Sequence, residues 1–295
     1  MKYVKYGLVS IMMLLLTGCN FFKMDTMEGI NIYTTTYPIN YLISYLYGDN
    51  STIYSIYPTD VSVDEFELSD KKIEEYSKSN LFVFNSLDKD KDRSYAVAMI
   101  NKNKRLKVID AGVGMNYNYD ISELWLNPYN YLMMAQNVKD GLLEYITNPY
   151  LISNRNETGI NDKYEKLKYD LSNLDATLKE NINNANYKII VADNDLFKFL
   201  EKYNLKVISL EENDDLTENT IDNVKKLINE GKIKYIYSTN ESSNETVNNL
   251  ITNYKLELLT INSMQSVDGG VTNSNENYLT IMHNNIELLN KELYK

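Results

Sequence analysis

Oxygen-bearing side chains recur just after the apolar runs of this sequence. The oxygen donors at these places are Asp60, Asp64, Glu65 and Glu67 after STIYSIYP, Asp120 and Glu123 before LWLNP, Asp193, Asn194 and Asp195 after YKIIVA, and Asn262 after LELLTI. Carboxylate and amide oxygens suit hard divalent cations such as Mn²⁺, Ca²⁺ or Mg²⁺ better than they suit thiophilic metals. The same residue types are favoured as helix caps and turn residues for backbone reasons alone. The sequence therefore allows either a metal site or ordinary caps at these positions.

The elements that must position these side chains follow one plan, which occurs twice. Apolar runs typical of strands alternate with amphipathic segments: INIYTTTYP, STIYSIYP, LFVFNSL and RLKVIDAG first, then YKIIVAD, LKVISL, IKYIYST and LELLTIN. Helices are predicted between them, including residues 39–48, 69–79 with Ser69 as N-cap, 125–146 and 195–204. This alternation predicts an α/β fold of two βα lobes with mostly parallel sheets. Ligands of such sheets bind beyond the carboxyl ends of the strands.

One long helix is predicted between the two lobes. Residues 161–185 carry apolar side chains at spacings of three or four, which are Tyr164, Leu167, Leu171, Leu174 and Leu178. A helix of about 25 residues is roughly 37 Å long, enough to pass from one lobe to the other. We expect an N-terminal lobe at 30–150, a rigid linking helix at 151–185, a C-terminal lobe at 186–295, and a ligand cleft between the lobes.

The N-terminus has the pattern of a lipoprotein signal. Lys2 and Lys5 precede the apolar run GLVSIMMLLL, and the run is followed by LTGC, which resembles a bacterial lipobox. This predicts a signal peptide at 1–18, a lipid on Cys19, a tether at 19–29, and a lipid-anchored location on the extracytoplasmic face of the cell membrane. The alternative is a plain signal peptide. Cys19 is the only cysteine, so no intramolecular disulfide can form.

Composition and motif content exclude several function classes. The 295 residues carry a formal net charge of −11, and nucleic acid is therefore not expected as a partner, because binding phosphates needs a basic face. There is no Gly-rich phosphate loop, no zinc-protease helix and no Ser/His or Cys/His pair. The sequence therefore predicts a protein that is not an enzyme.

Several motifs together resemble the ABC-transporter substrate-binding lipoproteins that capture Zn²⁺ or Mn²⁺. The motifs are TTTYP, LFVFNSL, VIDAG, WLNP at 125–128 and YLTIMHNNIELL, and the resemblance covers nearly the whole mature chain. It implies two βα lobes, a rigid linking helix, a monomer, a divalent metal ion (Mn²⁺ or Zn²⁺) as cargo, and an ABC permease in the membrane as partner.

The resemblance also implies a metal site, and this sequence departs from the family there. Asp64 and Glu123 stand where the family has histidines, Asn194 takes the third ligand position, and Asn262 takes the fourth. Two carboxylates and two amides favour a hard ion with more ligands over tetrahedral Zn²⁺. The one histidine, His283, is expected to be a structural residue of the closing helix.

Two functions from different classes are compatible with these features. The first is a solute-binding lipoprotein that delivers a divalent metal ion to an ABC permease. The alternative is a surface lipoprotein whose metal site has degenerated and which acts as an adhesin or accessory binding module. The 26 tyrosines are compatible with the alternative, because Tyr suits protein interfaces.

Overall fold

Two parallel β-sheets organise the molecule. The computed structural model describes residues 27–58, 61, 63, 65–87, 89–115, 124–212, 216–239, 244–265 and 276–295. Within these residues, the strands form two four-stranded sheets with the orders β2-β1-β3-β4 and β6-β5-β7-β8. Every strand pairing in the two sheets is parallel. The predicted α/β class with two βα lobes is confirmed.

The first sheet and its helices form what we call the N-terminal lobe. Its strands are β1 (Ile30–Thr34), β2 (Ser51–Ser55), β3 (Leu81–Phe84) and β4 (Lys107–Asp110). Its helices are α1 (Tyr37–Tyr47), α2 (Asp70–Tyr76) and α3 (Lys89–Lys102), and a 3₁₀ turn spans Gly48–Asn50. Ser69 caps α2 as predicted, since its side chain accepts a hydrogen bond from the Lys72 N–H.

The second sheet and its helices form the C-terminal lobe. Its strands are β5 (Ile189–Ala192), β6 (Lys206–Ser209), β7 (Tyr235–Ser238) and β8 (Glu257–Thr260). A 3₁₀ helix spans Asp195–Tyr203. The α-helices of this lobe are α7 (Glu218–Asn229), α8 (Glu245–Tyr254) and α9 (Tyr278–Leu293), and the numbers α4 to α6 belong to the helices between the two sheets. The N-cap of α9 is a complete capping box, in which the Asn277 and Thr280 side chains bond to each other's backbone N–H.

Three helices follow the first sheet and lead to the second. They are α4 (Pro128–Tyr145), the single turn α5 (Pro149–Ile152) and α6 (Ile160–Asn184), and α4 is preceded by a 3₁₀ turn at Leu124–Leu126. Helix α4 and the 3₁₀ turn before it belong to the N-terminal lobe, since the Tyr131 and Tyr145 hydroxyls donate to the carbonyls of Pro38 and Val108. Helix α6 has 25 residues and buries the apolar side chains that predicted it, Tyr164, Leu167, Leu171, Leu174 and Leu178. No described helix has the length and hydropathy of a membrane span.

The two lobes share one hydrophobic core. A single cluster of buried residues runs from Ile32 in β1 through Leu171 in α6 to Ile190 and Tyr237 in the second sheet. The outer face of each sheet packs on a separate cluster, around Phe82 in the N-terminal lobe and around Ile236 in the C-terminal lobe. The inner faces of both sheets are therefore covered by the same layer of helices.

The structure differs from the sequence-based expectations at several places. The segment expected at 195–204 is a 3₁₀ helix that ends at Tyr203, and its C-cap Asn204 has a left-handed backbone (φ 65°). Helix α3 was not predicted, because its first turns are charged and only a short YAVAM stretch is apolar. Helix α1 begins at Tyr37, so Pro38 lies in its first turn, where a missing N–H costs nothing. The helix expected at 125–146 begins at Pro128 instead, with Asn127 as its N-cap.

Candidate metal-binding site

Asn194 and Asn262 lie at the carboxyl edge of the second sheet, after β5 and β8. Strand β7 separates these two strands, so their ends are two strand spacings, or about 10 Å, apart. The Ile261 N–H donates to the Ser238 carbonyl (2.7 Å), which keeps the chain after β8 aligned with the end of β7. The two asparagines thus share one edge, and their side chains must extend toward each other to share one ion.

Asn194 caps the 3₁₀ helix that follows β5. Its Oδ1 accepts a hydrogen bond from the Leu196 N–H (2.9 Å), and the residue is half-buried. An amide oxygen has two lone pairs, so one remains for a second partner. The capping role allowed by the sequence is confirmed, and it leaves the oxygen able to bind an ion.

Asn262 starts a tight turn after β8. Its Oδ1 accepts from the Met264 N–H (2.9 Å), and Met264 has a left-handed backbone (φ 60°) with a buried side chain. The Asn262 side chain is exposed, and its oxygen also keeps one free lone pair. The turn therefore holds this oxygen at the surface of the sheet edge.

The turn at 262–264 is tied to the N-terminal lobe by the only tryptophan. The indole N–H of Trp125 donates to the Ser263 carbonyl at 2.7 Å. The Trp125 carbonyl in turn accepts a hydrogen bond from the Tyr278 hydroxyl of α9 at 2.6 Å. Trp125 and Tyr278 are both fully buried. The segment WLNP, which carried part of the family resemblance, thus joins the two lobes next to Asn262.

A stack of tyrosines extends this contact between the lobes. The rings of Tyr131 in α4 and Tyr278 in α9 lie 3.8 Å apart at an interplanar angle of 20°. Tyr41 of α1 lies 6.0 Å from the Tyr278 ring. Burial raises the pKa of Tyr131 and of Tyr278 well above the usual value for tyrosine. Both hydroxyls therefore remain protonated donors at any physiological pH.

Asp64 and Glu123, the two predicted carboxylate ligands, lie outside the described residues. Their described neighbours Val63 and Leu124 are buried. The strands that precede the two carboxylates, β2 and β4, form opposite edges of the first sheet. Within the described ranges, no group of three or more His, Cys, Asp or Glu side chains is arranged to hold a metal ion. The four-ligand site thus stays a prediction.

The carboxylates next to Asn194 already have partners in the protein. Asp193 accepts a hydrogen bond from the Ser238 hydroxyl at the end of β7. Asp195 pairs with Lys198 at 2.6 Å, and both side chains are mostly buried. Lys198 thus offsets the charge of Asp195, and the Ser238 hydroxyl satisfies one oxygen of Asp193. His283 is exposed on α9, and the structural role expected for it stays a prediction.

The carboxyl edge of the first sheet carries buried polar groups that the sequence analysis missed. Thr35, Thr36 and Asn85 follow β1 and β3 and are almost completely buried. The hydroxyls of both threonines and the Asn85 Nδ2 have no hydrogen-bond partner in the described protein. The Asn85 Oδ1 is held by the Leu87 N–H (3.1 Å). The run TTT before Pro38 carries a signal of these groups, but its pattern alone predicts only the end of a strand.

Comparison with known proteins places this architecture in a family. A family model described as ZnuA, zinc-uptake complex component A, periplasmic, matches residues 32–292. The zinc-binding lipoprotein AdcA of Streptococcus pneumoniae (strain R6) is 22% identical over 313 residues, which cover 98% of this chain and 60% of AdcA. The chain thus spans about 60% of the length of this curated relative.

Two solved structures show the same fold. The Zn(II)-bound ZnuA-like domain of Streptococcus pneumoniae AdcA has a TM-score of 0.71 at 20% identity and covers 90% of this chain and 100% of that one. The laminin binding protein Lmb of Streptococcus agalactiae, described as bifunctional with adhesin and metal transporting activity, has a TM-score of 0.69 at 16% identity, with the same coverage of both chains. At these identities the likeness concerns the fold alone.

Proposed function

The chain belongs to the ZnuA family of zinc-uptake complex components, and on that premise we propose that it is a solute-binding lipoprotein. It captures a divalent metal ion outside the cytoplasm and delivers it to an ABC permease. The observation that carries this proposal is the family match over residues 32–292, which spans both sheets and α6. The family consists of metal-binding transport components and is not a class of enzymes.

The proposed site consists of Asp64, Glu123, Asn194 and Asn262. The described part of this set supports it, because the amide oxygens of Asn194 and Asn262 lie at one sheet edge with a lone pair free. Two carboxylates would neutralise the charge of a divalent ion, and two amide oxygens would add neutral donors. These oxygen donors are harder ligands than histidine nitrogens and therefore favour Mn²⁺. The relative AdcA, in contrast, is described as a zinc-binding lipoprotein.

The remaining parts of the proposal concern location and partners. Cys19 in LTGC carries the lipid, which holds the protein on the extracytoplasmic face of the cell membrane. The protein acts as a monomer that docks on its permease. The shared core and the Trp125–Ser263 hydrogen bond support a transport cycle with small movements of the lobes.

Thermal melts of the mature, unlipidated protein from Asn20 test this function. After chelation, Zn²⁺, Mn²⁺, Ca²⁺ and Mg²⁺ are titrated separately. Binding at a hundredfold excess over the Kd raises stability by about 2.7 kcal/mol. Asp64→Ala and Glu123→Ala should each abolish the shift, whereas Asp222→Ala, a carboxylate on the exposed face of α7, should leave it intact. Flat melts with all four ions would refute metal capture, and an unchanged shift in both variants would refute the site.

A second function, an adhesin or accessory binding module, is favoured by a separate observation. Three tyrosines are unusually exposed for aromatic residues: Tyr129 (59%), Tyr150 (77%) and Tyr169 (67%). Exposed tyrosines suit protein interfaces, and Lmb is described as an adhesin as well as a metal transporter. Metal-free protein should then bind immobilised laminin, and the paired substitution Tyr150→Ser and Tyr169→Ser should weaken that binding. Absence of binding by the metal-free protein would exclude a laminin adhesin.

A further inference from the structure

Asn285 of α9 holds the backbone of Asn262 at two points. Its Oδ1 accepts from the Asn262 N–H at 3.1 Å, and its Nδ2 donates to the Asn262 carbonyl at 2.9 Å. The side chain thus pairs with residue 262 as a neighbouring strand would. Asn285 is only 6% exposed. A buried asparagine in the middle of a helix is costly unless its amide is satisfied, and here both ends of the amide bond to one residue.

The surroundings leave the Asn285 amide one orientation. Leu126, Phe197, Ile261 and Ile286 border the small apolar cavity next to it. Apolar neighbours offer no competing hydrogen bonds. Reversing the amide would place its NH₂ against the Asn262 N–H and its oxygen against the Asn262 carbonyl, which is unfavourable at both points. The backbone of Asn262 therefore sets the orientation of the Asn285 amide, and the amide in turn holds the backbone of Asn262 in place.

Three contacts close a ring around the turn at 262–264. Asn285 of α9 bonds to Asn262, Trp125 bonds to the carbonyl of Ser263, and Tyr278 of α9 bonds to the carbonyl of Trp125. Helix α9 therefore reaches the turn directly and also through the N-terminal lobe. A shift of α9 relative to the N-terminal lobe would break at least one of these hydrogen bonds.

We propose that Asn285 is a positioning residue of the metal site, which sets the place of the Asn262 oxygen and links it to the docking of the two lobes. The inference rests on the proposed function with Asn262 as a ligand. Ligands must be held within about 0.5 Å of their productive geometry by surrounding residues. The amide oxygen of an exposed side chain meets this requirement only if its backbone is fixed. Asn285 fixes that backbone from a helix that carries no ligand itself.

The variants that test this remove different hydrogen bonds of Asn285. Asn285→Leu keeps the approximate size of the side chain and removes both bonds. Asn285→Asp keeps the acceptor for the Asn262 N–H and loses the donor to its carbonyl. Asn284→Leu is the matched control, since Asn284 is the neighbouring asparagine of the same helix and is exposed.

Two measurements are made on each mature variant, well below its melting temperature. Titration with Zn²⁺ and Mn²⁺ gives the affinity, and acrylamide quenching of Trp125, the only tryptophan, reports on the turn in metal-free protein. We expect Asn285→Leu to weaken metal binding at least tenfold and to increase quenching, and Asn284→Leu to match wild type. Asn285→Asp should also increase quenching, because a carboxylate oxygen then faces the Asn262 carbonyl. If Asn285 only stabilises the fold, Asn285→Leu lowers the melting temperature and leaves the metal affinity of the folded protein unchanged.

The outcomes separate this inference from the proposed function. Wild-type affinity in Asn285→Leu overturns the inference while metal capture stands. If wild-type protein binds neither ion, the proposed function fails, and with it the role of Asn285 in a metal site. The quenching data then decide only whether the amide holds the turn: greater quenching in Asn285→Leu than in Asn284→Leu supports that, and equal quenching refutes it.

Discussion

The hydroxyl of Tyr278 makes one of the hydrogen bonds that hold the two lobes together. It donates to the Trp125 carbonyl at 2.6 Å in a fully buried position. Tyr278→Phe removes this hydroxyl and keeps the ring that stacks on Tyr131. The stacking contribution, about 0.5–1.5 kcal/mol for such pairs, is therefore retained. The substitution isolates the hydrogen bond between α9 and the WLNP segment.

The expected cost follows from what the substitution leaves behind. The Trp125 carbonyl would be buried without this donor, and a buried group that loses its partner costs about 1–3 kcal/mol. For a protein of this size, each kcal/mol shifts the melting temperature by about 2–4 °C. The melting temperature of Tyr278→Phe should therefore fall by roughly 2–12 °C.

Circular dichroism melts of Tyr278→Phe and Tyr294→Phe provide the assay. Tyr294 makes the same kind of bond, since its hydroxyl donates to the Asn181 carbonyl at 2.7 Å, but the residue is 43% exposed. Water can replace that bond, so Tyr294→Phe should change stability by less than about 0.5 kcal/mol. Equal melting temperatures for the two variants would show that burial does not determine how much these hydrogen bonds contribute to stability.

Three further predictions concern α6, α2 and the tyrosines between the lobes. Leu171→Ala, at a buried position of α6, should lower the free energy of unfolding by about 2–5 kcal/mol in denaturant melts, whereas Tyr169→Ala on the exposed face should change it little; similar losses would contradict the packing of α6. Ser69→Ala removes the cap of α2 and should cost about 0.5–2 kcal/mol; an unchanged denaturation midpoint would contradict this role. Burial, reinforced by Glu276, raises the pKa of Tyr37 from 10.0 to about 12. Because the pKa of Tyr37 is higher in the folded than in the unfolded protein, the contribution of Tyr37 to stability is intact below pH 10 and is lost as the pH rises toward 12. Ultraviolet titration should show the Tyr37 phenolate forming together with unfolding. Formation of this phenolate in folded protein near pH 10 would refute the burial argument.

Much of the fold follows from local patterns in the sequence. Helix α6 was predictable because its apolar residues recur every three or four positions and all of them are buried. The strands were predictable because short apolar runs alternate with helical segments. Helix α3 was missed because its charged first turns hide the buried face formed by Tyr95, Ala96 and Met99. The periodicity of apolar residues thus fails to predict a helix that buries only one short stretch of its length.

The candidate site was less predictable, because its geometry depends on contacts between distant residues. The sequence indicated Asn194 and Asn262 as residues after strands, and the structure places them there. It gave no sign that Asn285 pairs with the backbone of Asn262, since an asparagine within a helical pattern has many possible partners. The buried polar groups of Thr35, Thr36 and Asn85 were overlooked for a similar reason, because burial of a threonine at a strand end is decided by the packing around it.

The position of α9 in the chain has a consequence for the order of folding. The hydrogen bonds from Trp125 to Ser263 and from Tyr278 to Trp125 span 138 and 153 residues. Contacts of such long range form late, since closing a large loop must precede any gain from them. Until α9 has docked, Trp125 and Tyr131 lack the cover that Tyr278 gives them. Loss of α9 would therefore leave a lasting apolar surface, and a chain shortened before residue 278 should aggregate rather than fold.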